Sequence, residues 1–274
     1  MRPTVAFALA VIAGSGLVVS GQQPSVLPMG PPRERGASVT PAFEGWYKNE
    51  DGSFSLLVGY FNRNSKEPLT IPVGPNNKIE PGDPDQGQPT YFETGRQWGV
   101  FVIKVPKDFG TKTMKWTITS NGETQSIPLT LNPGYPITPF KELGMLNEPP
   151  ALKFAADGAT FAGPPTAVAT TLSGSVGQPV PIQVWASDVK ERGKEASAAM
   201  VANVSFRKYR GPGDVKFDPM RIPVRQQNGM ISTTATFSAP GEYLVRVQAN
   251  DESGEGGGGF QCCWTNTYVK VLIK

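Results

Sequence analysis

The sequence contains no histidine. That absence excludes the Ser-His-Asp and Cys-His nucleophile systems, histidine-ligated zinc or copper, and histidine-ligated haem. Cysteine is almost as scarce: the 274 residues hold two, Cys262 and Cys263, side by side. Two thiolates without two further ligands make a poor zinc site. Charge is sparse at 18%, and 26 Lys plus Arg against 23 Asp plus Glu leave a net +3, too small for a dedicated nucleic-acid surface. The long apolar run, Val5 to Val19, is short of the ~20 residues that a membrane-spanning helix needs. A phosphate cradle is also missing, since Gly256 to Gly259 has neither the Lys nor the helix that such a loop requires. No enzyme and no cofactor are expected from this inventory.

Glycine and proline are what the chain has in excess. The 31 glycines and 27 prolines make up about a fifth of it, where roughly 12% is usual. Both residues favour turns and strand ends over long helices. Apolar residues at 38% suffice for a packed core, and the length allows one large domain or two of about 100–120 residues.

Met1-Arg2-Pro3-Thr4 followed by the apolar run reads as an export signal, with Val19 and Gly21 small enough for the −3 and −1 positions of a cleavage site. A signal peptide over 1–21 is expected, and with it export to the periplasm, the cell surface or beyond. Membrane attachment would require that the signal stay uncleaved. Residues 22–41, with Pro24, Pro28, Pro31 and Pro32, read as an extended tether.

Beyond the tether the apolar residues alternate with period two. Met114, Trp116 and Ile118 share one strand face, Asn121-Gly122 suits a tight hairpin turn, and Ile127, Leu129 and Leu131 mark the return. The runs Ser53–Phe61 and Trp98–Val105 are nearly continuous apolar and are expected centrally in a sandwich. Val180, Ile182 and Val184 alternate likewise, as do Tyr243, Val245, Val247 and Ala249, and Val269, Val271 and Ile273. The expected fold is all-β: two antiparallel β-sandwich domains at 42–133 and 166–274, joined by a Pro-rich linker over 134–165 that either lies along the first domain or spaces the two.

Tyr209-Arg210-Gly211-Pro212-Gly213-Asp214-Val215-Lys216-Phe217, then Thr234 to Ser238 with Ala239-Pro240-Gly241-Glu242-Tyr243, then Val247-Gln248-Ala249-Asn250-Asp251, resembles bacterial Ig-like domains of the PKD type. The resemblance covers about 85 residues. It implies a corner at Pro-Gly-x-Tyr that leads into a core strand, and it carries no function, because such modules serve as spacers, adhesins and enzyme appendages. Gly45-Trp46-Tyr47-Lys48-Asn49, Gly59 to Asn64 and Ile71 to Asn77 resemble a group of exported bacterial proteins to which no activity attaches.

Trp46, Tyr47 and Tyr91, with Asn62, Arg63 and Asn64, are the candidate binding residues: aromatic rings beside polar groups suit a protein hot spot or sugar stacking. Core packing of the rings and turn hydrogen bonds from Asn62 and Asn64 are the plainer readings. Cys262 and Cys263 can form a strained vicinal disulfide, remain as packed thiols, or pair between chains. No metal is expected. Asp83 and Asp85 on one turn-rich loop, and Asp251 on another, come nearest to calcium ligands but lack the rest of a calcium loop. Arg96-Gln97 is positioned to pair with the Asp83/Asp85 loop. The combined reading is an exported, non-catalytic binding or scaffold protein that contacts an envelope or extracellular protein. A carbohydrate-binding module using the first-domain aromatics, or a redox-active subunit using the cysteines, are the alternatives. No nucleic-acid partner is expected.

Overall fold

The computed structural model describes residues 33–142, 146–188, 201–251 and 263–274, all of which fall in one compact unit. The expected signal peptide, most of the tether, and Cys262 lie outside the described residues. Among the described residues there is no helix long and apolar enough to cross a membrane, and the secondary structure is all strand.

The first half contributes β1 (Val39–Lys48), β2 (Phe54–Asn62), β3 (Leu69–Thr70), β4 (Asn77–Glu80), β5 (Tyr91–Phe92), β6 (Gly95–Val105), β7 (Thr113–Ser120) and β8 (Glu123–Thr130). They pair antiparallel as β1-β2-β6, β4-β7-β8 and the short β3-β5. Alternation decides the faces. Met114, Trp116 and Ile118 turn inward against Leu56, Val58, Phe101 and Ile103 in one apolar cluster, and Asn121 (φ 48) with Gly122 (φ 78) forms the expected tight hairpin turn between β7 and β8.

The second half contributes β9 (Ala151–Lys153), β10 (Val168–Gly174), β11 (Pro179–Ser187), β12 (Ala202–Arg210), β13 (Val215–Asp218), β14 (Arg221–Val224), β15 (Gly229–Phe237), β16 (Gly241–Asn250) and β17 (Trp264–Ile273). A five-stranded sheet, β10-β17-β16-β12-β14, faces a four-stranded one, β13-β15-β11-β9, across a second apolar cluster that includes Val184, Phe206, Phe237 and Tyr243. One pairing departs from the antiparallel expectation: β10 runs parallel to β17, where the last strand closes on the strand that opens the sheet.

Two findings qualify the sequence reading. The Trp98–Val105 run was expected to be central, yet among the described residues β6 pairs with β2 alone. Its near-continuous burial has another cause, since residues of the second half cover the outer face of this sheet. The Pro-rich stretch divides in two. Its first part lies alongside β1, where the Trp46 amide donates to the Tyr135 carbonyl (3.0 Å) and the Ile137 amide to the Trp46 carbonyl (2.9 Å). Its later part supplies β9 to the second half's four-stranded sheet.

The corner at β16 is built by glycine. Gly211 has φ +140, and a Cβ there would stand 2.1 Å from the Tyr243 ring. The Tyr243 hydroxyl donates to the Ala239 carbonyl (2.7 Å) and accepts from the Gly213 amide (3.0 Å). Gly211→Ala is therefore expected to destabilise the chain by about 2–4 kcal/mol, since both the φ and the ring oppose the added methyl. Gly52→Ala, at φ +82 with open space around it, is expected to cost only about 1 kcal/mol. Chemical denaturation midpoints of the two variants check the contrast.

Candidate binding site

The two halves meet through polar side chains. β16 and β17 put their apolar row into the second core, and on the opposite row Arg246, Gln248 and Asn266 are also buried and Tyr268 is partly so. That row packs on the outer face of β1-β2-β6. Arg246 donates to the Gln97 side-chain oxygen, Asn266 donates to the carbonyls of Gly99 (3.0 Å) and Trp98 (3.3 Å), and the Tyr268 hydroxyl donates to the Val100 carbonyl. Leu244, Tyr268 and Tyr209 extend the first half's apolar cluster.

Glu44 lies beneath this seam. It is the extra residue of a β-bulge, since Phe43 pairs with Val58 and Gly45 with Leu57. Its carboxylate accepts from Arg96 Nη2 (2.8 Å) and from the Gly99 amide (2.7 Å). Gly59 makes the room, because a Cβ there would stand 2.0 Å from Glu44 Oε1. Arg96 in turn stacks its guanidinium 3.9 Å over Trp98. Burial pushes the Glu44 carboxyl up to about 7; Arg96, the Gly99 amide and Arg246 pull against that rise without cancelling it.

A second clasp lies about β12. Tyr209 is the bulged residue of the β12–β16 pair. Its hydroxyl donates to the Gly87 carbonyl, and its own carbonyl accepts from the Thr90 amide (3.2 Å). Arg210 forks onto Asp85 with Nη1 and Nη2 (2.8 and 2.7 Å), and its Nε reaches the Gln88 carbonyl (2.9 Å). The guanidinium hydrogen bonds hold the Asp85 carboxyl below its ordinary value. The expected pairing of Arg96 with this loop is thus corrected: Arg210 takes Asp85, and Arg96 takes Glu44.

Beside that clasp opens a cleft of about 400 Å³, lined by Tyr91 and Glu93 from the first half and by Lys208, Asp214, Val215, Lys216, Phe217 and Met220 from the second. Lys208 is 7% exposed, and its Nζ lies 4.7 Å over the Tyr91 ring. Burial lowers its affinity for the proton while Asp214 and Glu93 raise it, and the net direction is down. Tyr91 is pushed up to about 12 by burial, with Glu93 and Asp214 adding to the rise, so it remains a phenol.

Of the described residues singled out in the sequence, Tyr91 reaches this cleft and the others are placed elsewhere. Trp46 is half-buried, with its indole N–H on the Asn132 carbonyl (2.8 Å) and its ring edge-on to Phe54. Tyr47 is buried, edge-on to Phe140. Asn62 donates to the carbonyls of Glu67 (2.9 Å) and Phe92 (3.0 Å), and Asn64 clasps the Ala37 backbone through both its amide atoms (2.6 and 2.8 Å). Arg63 pairs through its backbone with Ser38 and Arg33. Asp83 accepts from the Asp85 amide (2.9 Å) within its own loop, and Asp251 accepts from Asn147 (2.6 Å). Among the described residues no group of three or more Cys, Asp or Glu gathers as metal ligands would. Cys263 is buried with its sulfur 3.2 Å from the Asn147 carbonyl; its neighbour Cys262 lies outside the described residues. Lys208, Arg246, Asn266 and Glu44 were not singled out, because a polar residue alternating with apolar ones reads as a solvent-facing position.

Two measurements test the seams. Glu44 titrates at about 7 folded against 4.5 for the free side chain. Between those values the folded chain keeps a proton that the unfolded chain has released, so stability falls as pH rises from about 4.5 to 7 and levels off above. The loss amounts to roughly 3–4 kcal/mol. Glu44→Gln is expected to remove that slope, as read by denaturation midpoints across the window. For the clasp, a double-mutant cycle over Asp85→Asn and Arg210→Lys is expected to give a coupling of about 1 kcal/mol that shrinks in high salt.

No family model matches the sequence, and no match is found among curated proteins. Solved structures with some likeness include the D00-D0 domain of Intimin, 12% identical over 86% of this chain and 100% of that one, with a TM-score of 0.27. They also include fibronectin(III)-like modules of Clostridium thermocellum CbhA (14% identical, 86% of this chain, 94% of that one, TM-score 0.23) and domains 4 and 5 of the S-layer protein SbsC (12%, 86% and 98%, TM-score 0.25). Superpositions at these scores fix neither a partner nor an activity.

Proposed function

We propose that this chain is an exported, non-catalytic binding or scaffold protein of the cell envelope or its surroundings. It acts through contacts with another protein, and its halves, 42–133 and 166–274, serve as two modules. The observation that carries this reading is the cleft at Tyr91 and Lys208. It is assembled from both halves and held open by the Arg210 and Tyr209 clasp beside it. A site shared by two modules and fixed by hydrogen bonds is preorganised, which cuts the ordering cost of binding. Asn62 and Asn64 tie backbone segments, and Asp85 holds Arg210. Trp46 and Tyr47 pack beside the 132–140 stretch, which favours the protein-contact reading over a ring platform for a sugar.

The test is a pull-down with the chain from Gln22 to Lys274, run against its own envelope and culture-medium fractions with an array of polysaccharides alongside. Recovery of one protein in stoichiometric amount is the expected result. Retention of a glycan with no protein would replace this reading with carbohydrate binding, and recovery of neither would overturn it.

A further inference from the structure

β13 is an edge strand. Among the described residues it pairs with β15 alone. The Ser238 amide donates to the Asp214 carbonyl (3.0 Å), which sets the alternation of the ladder: Lys216 and Asp218 turn their backbone groups to β15, and Val215 and Phe217 turn theirs away from it. The cleft is lined by the consecutive residues Asp214, Val215, Lys216 and Phe217. Successive side chains of a strand point to opposite faces. A cavity that touches all four therefore runs along the edge of the strand and not over one face.

The opposite wall is Lys208 and Tyr91. Lys208 is buried along its length, its ammonium lies over the Tyr91 ring at the cleft, and Asp214 and Glu93 act on it through charge. A buried ammonium carries three donors, and a ring face does not satisfy them all. The charges around the cleft balance: Lys208 and Lys216 face Glu93 and Asp214. A strongly charged ligand of either sign would meet repulsion there, whereas a neutral carbonyl oxygen would fill the donors of Lys208 without it.

Building on the binding-protein reading above, we propose that the cleft takes a neutral, extended peptide segment of a protein partner, which adds to the free edge of β13 as a further strand. The peptide backbone pairs with the outward amides and carbonyls of Val215 and Phe217, and one of its carbonyls accepts from Lys208 Nζ. Main-chain pairing supplies the affinity in this mode of recognition, and alternate side chains supply the choice of sequence. Phe217 and Met220, the latter 52% exposed, offer apolar contact to those side chains. β13 is four residues long, so the matched stretch spans about 13 Å.

The experiment is selection of a displayed library of random peptides, roughly ten residues long to leave flanks around the match, against the chain from Gln22 to Lys274, followed by amide hydrogen exchange on the complex. Expected are peptides of near-zero net charge that slow exchange at the Val215 and Phe217 amides. Their affinity should change less than about threefold between low and high salt. Lys208→Met, which keeps the apolar stem, should weaken them by more than about tenfold; an unchanged unfolding midpoint verifies that this variant is folded. Should the midpoint fall, the exchange pattern of the unaltered chain decides instead. No selected peptide, peptides that leave both amides exchanging freely, or displacement from the cleft by a polysaccharide would each overturn the inference. If the protein captured in the pull-down binds the folded Lys208→Met variant undiminished, the cleft assignment fails while the binding-protein reading stands. If nothing is captured, that reading fails first.

Discussion

A carboxylate sealed from water needs hydrogen bonds, a counter-charge or a proton, and the needs of Glu44 shape the strands around it. The extra residue in β1 turns the side chain into the outer face of the sheet. Opposite Gly59, β6 bulges as well, since Val58 pairs with Phe101 and Tyr60 with Gln97. That bulge places Gly99 at φ +48 with its amide on the carboxylate. The same glycine cannot gain a Cβ without pressing on Trp264, whose ring atoms would be 3.1 Å away. One buried acid thus fixes two bulges, one glycine for space and one for backbone shape, and the approach of a tryptophan from the other half.

The second half completes this arrangement by hydrogen bonding more than by apolar contact. Bulged strands expose carbonyls that have no ladder partner, and those of Trp98, Gly99 and Val100 are met by Asn266 and Tyr268. Leaving such groups buried and unpaired would cost about 1–3 kcal/mol each. Apolar surfaces can slide over one another, but directional bonds to particular carbonyls admit one register. The Arg210 fork and the Tyr209 hydroxyl repeat this logic at the other end of the seam, so the halves are pinned at two separated points. Pinning at two points resists rotation as well as separation.

The strands and their inward faces were legible in the sequence because apolar burial on one face leaves a period of two. Trp116, Ile118, Val245 and Val271 were readable for that reason, and the Asn121-Gly122 turn because few dipeptides accept its φ values. The seam was not legible. Arg246, Gln248 and Asn266 occupy the alternate positions of their strands, and a polar residue there looks the same whether it faces water or another sheet. The one visible trace was the nearly continuous apolar character of Trp98–Val105, which reports burial on two faces without saying what covers the second. The candidate residues divide along the same line. Tyr91 lies on the cleft, but nothing in its sequence neighbourhood foretells Lys208, which is 117 positions away and meets it only because Tyr209 and Arg210 grip the loop before β5.

That grip joins the corner of the second half to the cleft. Tyr209 and Arg210 end β12, Gly211 and Gly213 shape the turn around Tyr243, and Asp214 follows at once as the first residue of the cleft wall. Six consecutive residues therefore anchor the first half, form the corner and deliver the free strand edge. The corner glycines cannot be replaced without moving Tyr243, and the anchor cannot move without carrying β13 away from Tyr91. A local turn needed for the stability of one sandwich has in this way become the element that sets the width of a site shared by both. The position of β13 relative to Tyr91 and Glu93 is consequently a property of the assembled chain, because that side of the cleft belongs to the first half.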